Sequence, residues 1–240
     1  MPIVTFLDAD ISTWIRQREI PERTDGPHVS KVIVDMLKTA MPDKFGHYGQ
    51  AMDGDRAPQF EVGYTWEDVL STALRERHMS DDTRILMAPH EIVRDGIYGT
   101  PDRVLWDRAE GRWTLEELKA TWFSCGGLDV EPAAILNNRK FLYWCQQLKT
   151  YAAMLLRYRA DLERRWLVEL EPGQMLDLPP IAHVRALFIN GDYKYGQKDN
   201  RAKPMCWRIE WTLPELETWW NAVVRHVIRM NAPHPGEPIP

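Results

Sequence analysis

The chain has 240 residues, with 30 Lys plus Arg against 35 Asp plus Glu, a formal net charge of −5. At face value that balance argues against a nucleic-acid binder, because neutralising phosphates takes a positive surface. The longest run without a charged side chain, Ala120 to Leu128, is about half of what a membrane-spanning helix needs, while 44% hydrophobic and 27% charged residues suit an ordinary globular protein.

Met1 to Asp10 carries Asp8 and Asp10 and lacks the basic start, apolar core and small-residue cleavage site of a secretory signal, so the cytoplasm is the default compartment. Ser30, ahead of Val32, Ile33, Met36 and Leu37, predicts an N-capped helix ending near Met41-Pro42. Pro42 to Pro58 is polar and Gly-rich, with too little apolar surface to pack, and reads as a mobile loop. A second helix is predicted over about Phe60 to Arg77. From His90 to Asp107 the pattern shortens to alternation, through Ile92, Arg94, Ile97, Gly99, Val104 and Trp106, which predicts a two-stranded hairpin turning at Asp95-Gly96. Trp113 to Thr121 predicts a third strand, residues 139 to 165 the longest helix, and Val184 to Ile189 and Cys206 to Trp211 further strands. A helix from Pro214 to Met230 closes the order, and Ala232 to Pro240, with four prolines, is expected to be a loose tail. The order predicts one α/β domain over residues 1–231, its core at about 28–230, with a central mixed sheet flanked by helices.

Phosphate-binding G-x-x-x-x-G-K-[ST], dinucleotide-binding G-x-G-x-x-G, H-E-x-x-H and G-x-S-x-G patterns are all missing, which moves P-loop kinases, zincins and serine hydrolases down the list. An acidic set on the strands remains. Glu117 and Lys119, two apart on one strand, share a face, and Glu116 and Leu118 share the other. If the neighbouring strand brings Asp102 to the first face, Asp102, Glu117 and a strand carbonyl make a hard oxygen site suited to Mg²⁺ or Mn²⁺. Lys119 beside it would hold or help deprotonate an attacking water and offset charge on a pentavalent phosphorus. An E-x-K tripeptide on a strand, taken alone, is most often an exposed ion pair. Glu67, one turn after Gly63, has two readings as well: a third metal ligand or a solvated helix acid.

The long helix carries two stripes. Phe141, Cys145, Leu148, Ala152 and Leu155 form a core stripe, and Lys140, Tyr143, Gln147, Tyr151 and Tyr158 an amphipathic one beside it. From Arg139 to Arg165, seven basic residues against Asp161 and Glu163 give a local net charge of +5. Tyr side chains among such charges suit stacking on, or hydrogen bonding to, a nucleic-acid backbone; a solvated basic face is the plainer alternative.

Together these residues resemble the PD-(D/E)XK nuclease superfamily, and within it the RecB-like branch that includes phage exonucleases. The motifs follow in order: G-x-x-x-E at Gly63 to Glu67, G-T-P-D-R at Gly99 to Arg103, E-L-K at Glu117 to Lys119, and Q-x-x-x-Y at Gln147 to Tyr151. The resemblance implies a restriction-endonuclease-like core and a metal-dependent nuclease holding one or two Mg²⁺ or Mn²⁺ ions. Asp102 and Glu117 would be the principal metal ligands, with the Leu118 backbone carbonyl and Glu67 completing the set, and Lys119 would be the catalytic lysine. Gln147 and Tyr151 would contact the DNA strand, with Lys140, Tyr143 and Arg103 as further DNA-binding candidates. An acid at Glu67 is similar to the lambda-type phage exonucleases. Several branch members hold an iron-sulfur cluster on four cysteines; with three, Cys125, Cys145 and Cys206, this chain is expected to have none. His28 reads first as a surface residue and second as one approaching DNA or the site.

The first functional expectation is therefore a DNA exonuclease of recombination or repair, phage-type, whose partners are DNA and a recombination (annealing) protein. A structure-selective or restriction-type endonuclease on the same core is the second, and a catalytically silent nucleic-acid-binding module the third. The net charge no longer opposes these readings, since positive charge concentrates in residues 139–165 and in a second basic stretch, Asp192 to Arg208.

Overall fold

A computed structural model of the chain describes residues 25–47, 84–87, 91–107, 112–121, 138–157, 181–188 and 203–231, together with positions 65, 66, 69 and 72. Helix α1 (Val29–Ala40) follows from apolar residues at helical spacing, of which Val29, Val32, Ile33 and Leu37 are buried. Its N-cap is His28, not the expected Ser30, and no side chain caps it; Ser30 lies in the first turn. The chain breaks at Met41, ahead of Pro42, as the steric demand of proline on its predecessor requires. The segment expected to be a loop then begins with a short helix, α2 (Pro42–Phe45), because Phe45 reaches the core and is fully buried there. Residues 48–58 lie outside the described residues.

Strands β1 (Arg84–Met87), β2 (Ile92–Arg94), β3 (Ile97–Gly99), β4 (Arg103–Asp107) and β5 (Arg112–Thr121) follow. The Asp95-Gly96 turn forms as expected: both residues have positive φ, 49° and 74°, as a two-residue hairpin turn demands. The expected second strand, however, divides in two. β3 pairs with β2 and, by a single bridge at Tyr98, with His28, whereas β4 belongs to a separate five-stranded sheet, and Thr100-Pro101-Asp102 crosses between them. The alternation changes phase across that crossing, from Ile97 and Gly99 to Val104 and Trp106 with Pro101 between, so the sequence marks a break there but not that the strand beyond it joins another sheet.

Beyond β5 come α3 (Arg139–Arg157), β6 (Ile181–Phe188), β7 (Lys203–Glu210) and α4 (Leu213–Met230). Asn138 caps α3, its Oδ1 accepting the N–H groups of Lys140 and Phe141 at 2.9 and 3.2 Å. Thr212 and Glu215 form a capping box at the start of α4. β6 begins three residues earlier than expected, directly after Pro179-Pro180; paired along both edges, it need not alternate.

The large sheet runs β1-β4-β5-β6-β7, with β5 and β6 parallel and every other pair antiparallel. This is a mixed α/β fold, as expected. The β5-to-β6 connection carries α3, which packs against both strands and against α1 and α4. Val104 and Leu115, opposite each other in register, join Ile33, Phe141, Leu148, Met154, Leu216 and Trp220 in one buried cluster. Each such side chain contributes about 1.5–3 kcal/mol of hydrophobic stabilisation. Among the described residues no helix is long and apolar enough to cross a membrane.

Candidate metal-binding site

The central strand outruns one neighbour. β4 pairs with β5 only as far as Arg103 opposite Glu116, while β6 accompanies β5 through to Thr121. Among the described residues no strand pairs with the β4-side edge of β5 from Glu117 onward, and a side chain takes it. The N–H of Leu118 donates to Asp102 Oδ2 at 2.7 Å. Asp102, in the bend just before β4, is thereby fixed to the backbone between Glu117 and Lys119.

Glu117 is 1% exposed and its Oε1 forms an ion pair with Lys119 Nζ, at the half-buried end of the same face. Burial alone would lower the Lys119 pKa, but the charge of Glu117, then that of Asp102, and the Glu117 hydrogen bond outweigh it and hold the ammonium above the ordinary lysine range. Both carboxylates thus act on one lysine.

Helix α3 brings Gln147 and Tyr151 onto this cluster. Gln147 Nε2 donates to Tyr151 Oη at 3.0 Å, the reach of residues one turn apart. The Tyr151 phenol is pushed up, by burial first and then by the Glu117 and Asp102 charges, so it stays protonated beside the acids. Gln147 and Tyr151 are 7% and 4% exposed, so the stripe expected to carry DNA contacts is divided. These two lie inside, while Lys140 and Tyr143 are only half-buried. The helix packs on the face of β5 that carries Leu115 and Glu117, and Gln147 and Tyr151 are enclosed with the apolar stripe. Gln147 Oε1 has no hydrogen-bond partner among the described residues. A buried acceptor left so costs about 1–3 kcal/mol unless a ligand or water satisfies it.

Two further expectations are corrected. Arg103, a DNA-binding candidate, is 4% exposed and stands across from fully buried Glu116, on the face of β5 opposite to Glu117. Strand alternation turns it away from the carboxylates. His28 is not a surface residue: it is largely buried, its Nδ1 3.8 Å from Glu91 Oε1 and its ring 5.6 Å from that of Tyr98. Glu67 and Tyr158 lie outside the described residues, as do Cys125, residues 159–165 of the basic helix and most of the second basic stretch.

Gly99 is a site residue that spacing did not single out. A Cβ there would come within 2.7 Å of Tyr151 Cε1 and 2.9 Å of Val29 Cγ2, so its bare backbone lets the ring and the start of α1 close in. Its place at the head of Gly99-Thr100-Pro101-Asp102 was the available signal. Cys145 is no candidate nucleophile, since burial pushes its thiol up to about 12.

Among the described residues no three His, Cys, Asp or Glu side chains form a metal-binding group. The donors present, two carboxylates and the Leu118 carbonyl, still fit Mg²⁺ or Mn²⁺, since Mg²⁺ is commonly held by one or two carboxylates with waters and substrate phosphates.

No protein-family model matches the chain, and no curated protein matches it. Among solved structures it is similar to SSO0001, at 10% identity and a TM-score of 0.40, covering 95% of this chain and 87% of that one. It is also similar to LHK-Exo in complex with dAMP, at 13% identity and a TM-score of 0.37, covering 85% and 89%. At this level of likeness the functional reading rests on the site's own geometry.

Proposed function

We propose that the protein is a divalent-metal-dependent deoxyribonuclease, an exonuclease that hydrolyses phosphodiester bonds at DNA ends in recombination or repair. One observation carries the reading: the Asp102 carboxylate is bound to the strand N–H that separates Glu117 from Lys119, so two acids and an ammonium converge at one open strand edge. Asp102, Glu117 and the Leu118 carbonyl would hold Mg²⁺ or Mn²⁺, with Glu67 as the further ligand the motif resemblance implies. When bound, the cation would polarise the phosphodiester and lower the pKa of a coordinated water.

The chain's own groups do the rest. Paired with Glu117, Lys119 is held as an ammonium, and its part would be to offset charge gathering on the phosphate oxygens. Tyr151, kept neutral, and Gln147 stand as buried, uncharged polar groups beside the carboxylates. The partners are DNA and, for a recombination role, an annealing protein.

The test is incubation of the full chain with linear and circular DNA, with EDTA, Mg²⁺ or Mn²⁺, beside Lys119→Ala and Asp102→Ala proteins. Metal-dependent loss of linear DNA with circles spared is the expected result. Nicking of circles would replace the exonuclease by an endonuclease on the same site. Activity that survives both substitutions, or none with either metal, would refute the site.

A further inference from the structure

The β2–β3 hairpin stands outside the five-stranded sheet, yet the chain leaving it delivers Asp102 to β5. Besides the bond from the Tyr98 N–H to the Pro27 carbonyl ahead of α1, it is tied to α3 at two places. At its turn, Arg94, only 4% exposed, donates from Nη1 to the Ala153 carbonyl of α3 at 2.7 Å, with its guanidinium carbon 4.2 Å from the ring centroid of Trp220 on α4. Asp95 Oδ2 lies 3.5 Å from Arg94 Nε and accepts the Trp220 indole N–H at 2.8 Å. At its exit, Gly99 abuts Tyr151. Ala153 and Tyr151 are two residues apart on one helix, so the two ties form a closed circuit of contacts. A slide of the hairpin along α3 would either break the Arg94–Ala153 bond or drive Gly99 into the Tyr151 ring.

Burying a guanidinium is a poor way to add stability, since a well-packed apolar side chain of similar volume often does as well or better. What the arginine supplies is a fixed position, through one directed bond and one cation–π contact. We propose that Arg94 is a positioning residue for the carboxylate site, setting where Gly99 meets Tyr151 and therefore where Asp102 meets β5. This rests on the nuclease reading above.

The test compares the full-length wild type with Arg94→Met, Arg94→Lys and, as a stability control on α4, Val227→Ala. Mn²⁺ affinity is read by electron paramagnetic resonance, kcat and KM from cleavage of linear DNA, and Tm from thermal unfolding. Arg94→Met should weaken Mn²⁺ binding and lower kcat by about 10–100-fold, as substitutions behind metal ligands do. KM for DNA should stay within about twofold, because DNA does not touch Arg94. Arg94→Lys should recover part of both losses, and Val227→Ala, with a comparable fall in Tm, should show neither. Should Arg94→Met fail to fold, Arg94→Lys against wild type decides. Wild-type Mn²⁺ affinity and kcat in the Arg94 variants, or the same losses in Val227→Ala, would overturn the positioning role. A wild type that binds no Mn²⁺ would instead overturn the nuclease reading and this proposal with it.

Discussion

The two faces of β5 carry the same chemistry to different ends. On one, Glu117 and Lys119 form an ion pair that Asp102 joins from the crossing segment, with Lys119 23% exposed. On the other, Glu116 stands opposite Arg103, at 0% and 4% exposure. An acid and a base on a strand are therefore not in themselves a site. The difference is an opening: β4 stops pairing at Glu116, and past that point the strand edge is available to Asp102. Arg103 and Glu116 are both buried, whereas Lys119 at the Asp102 edge keeps part of its side chain in solvent.

The sharpest way to break this comparison is Asp102→Asn, which keeps an acceptor for the Leu118 N–H but removes the charge. Metal-dependent cleavage should fall on the order of 10²–10³-fold, as for loss of one catalytic electrostatic group, with Tm nearly unchanged. Arg103→Met is the mirror experiment. Taking the cation from opposite buried Glu116 should cost about 3 kcal/mol in denaturant unfolding, while kcat per folded molecule stays at the wild-type value. Parallel losses of stability and activity in both variants would erase the distinction between the faces.

Gly99→Ala should fall between them, because the new methyl must displace Tyr151 or α1. Overpacking of this kind costs about 1–3 kcal/mol, and the shift of Tyr151 should also lower kcat, so one substitution is read in both assays. The smallest effect is expected far from either face, at the α4 cap, where Thr212→Ala should cost about 1 kcal/mol. The Glu215 carboxyl is held below its usual range by the Thr212 backbone and side-chain hydrogen bonds. A depressed folded-state pKa stabilises above the unfolded value, about 4.3 for Glu. The gap in Tm between wild type and Thr212→Ala should therefore be full at neutral pH and shrink as acid protonates Glu215. A gap independent of pH would show that the carboxylate takes no part in the cap.

Legibility followed the range of the interactions. The Asp95-Gly96 turn, the strand around Glu117 and Lys119, and the helices beginning near Val29, Arg139 and Leu213 were readable because turn chemistry and hydrophobic period act over a few neighbours. The sharing of one face by Glu117 and Lys119 was readable for the same reason. The division of the alternating stretch between two sheets was not, nor were the enclosure of Gln147 and Tyr151 and the turning away of Arg103. Each of these depends on which distant segment packs where.

By itself the sequence determined the types and spacings of the acids, the lysine and the Gln-Tyr pair. Only the tertiary structure decided that Asp102 reaches the backbone between Glu117 and Lys119, that the neighbouring Arg103 and Glu116 are closed off, and that a hairpin outside the main sheet is held by Arg94 and Trp220. The physical reason is that strand period assigns a side chain to a face, while register and strand length, set by packing across the whole domain, decide which edge stays open for a carboxylate to bind.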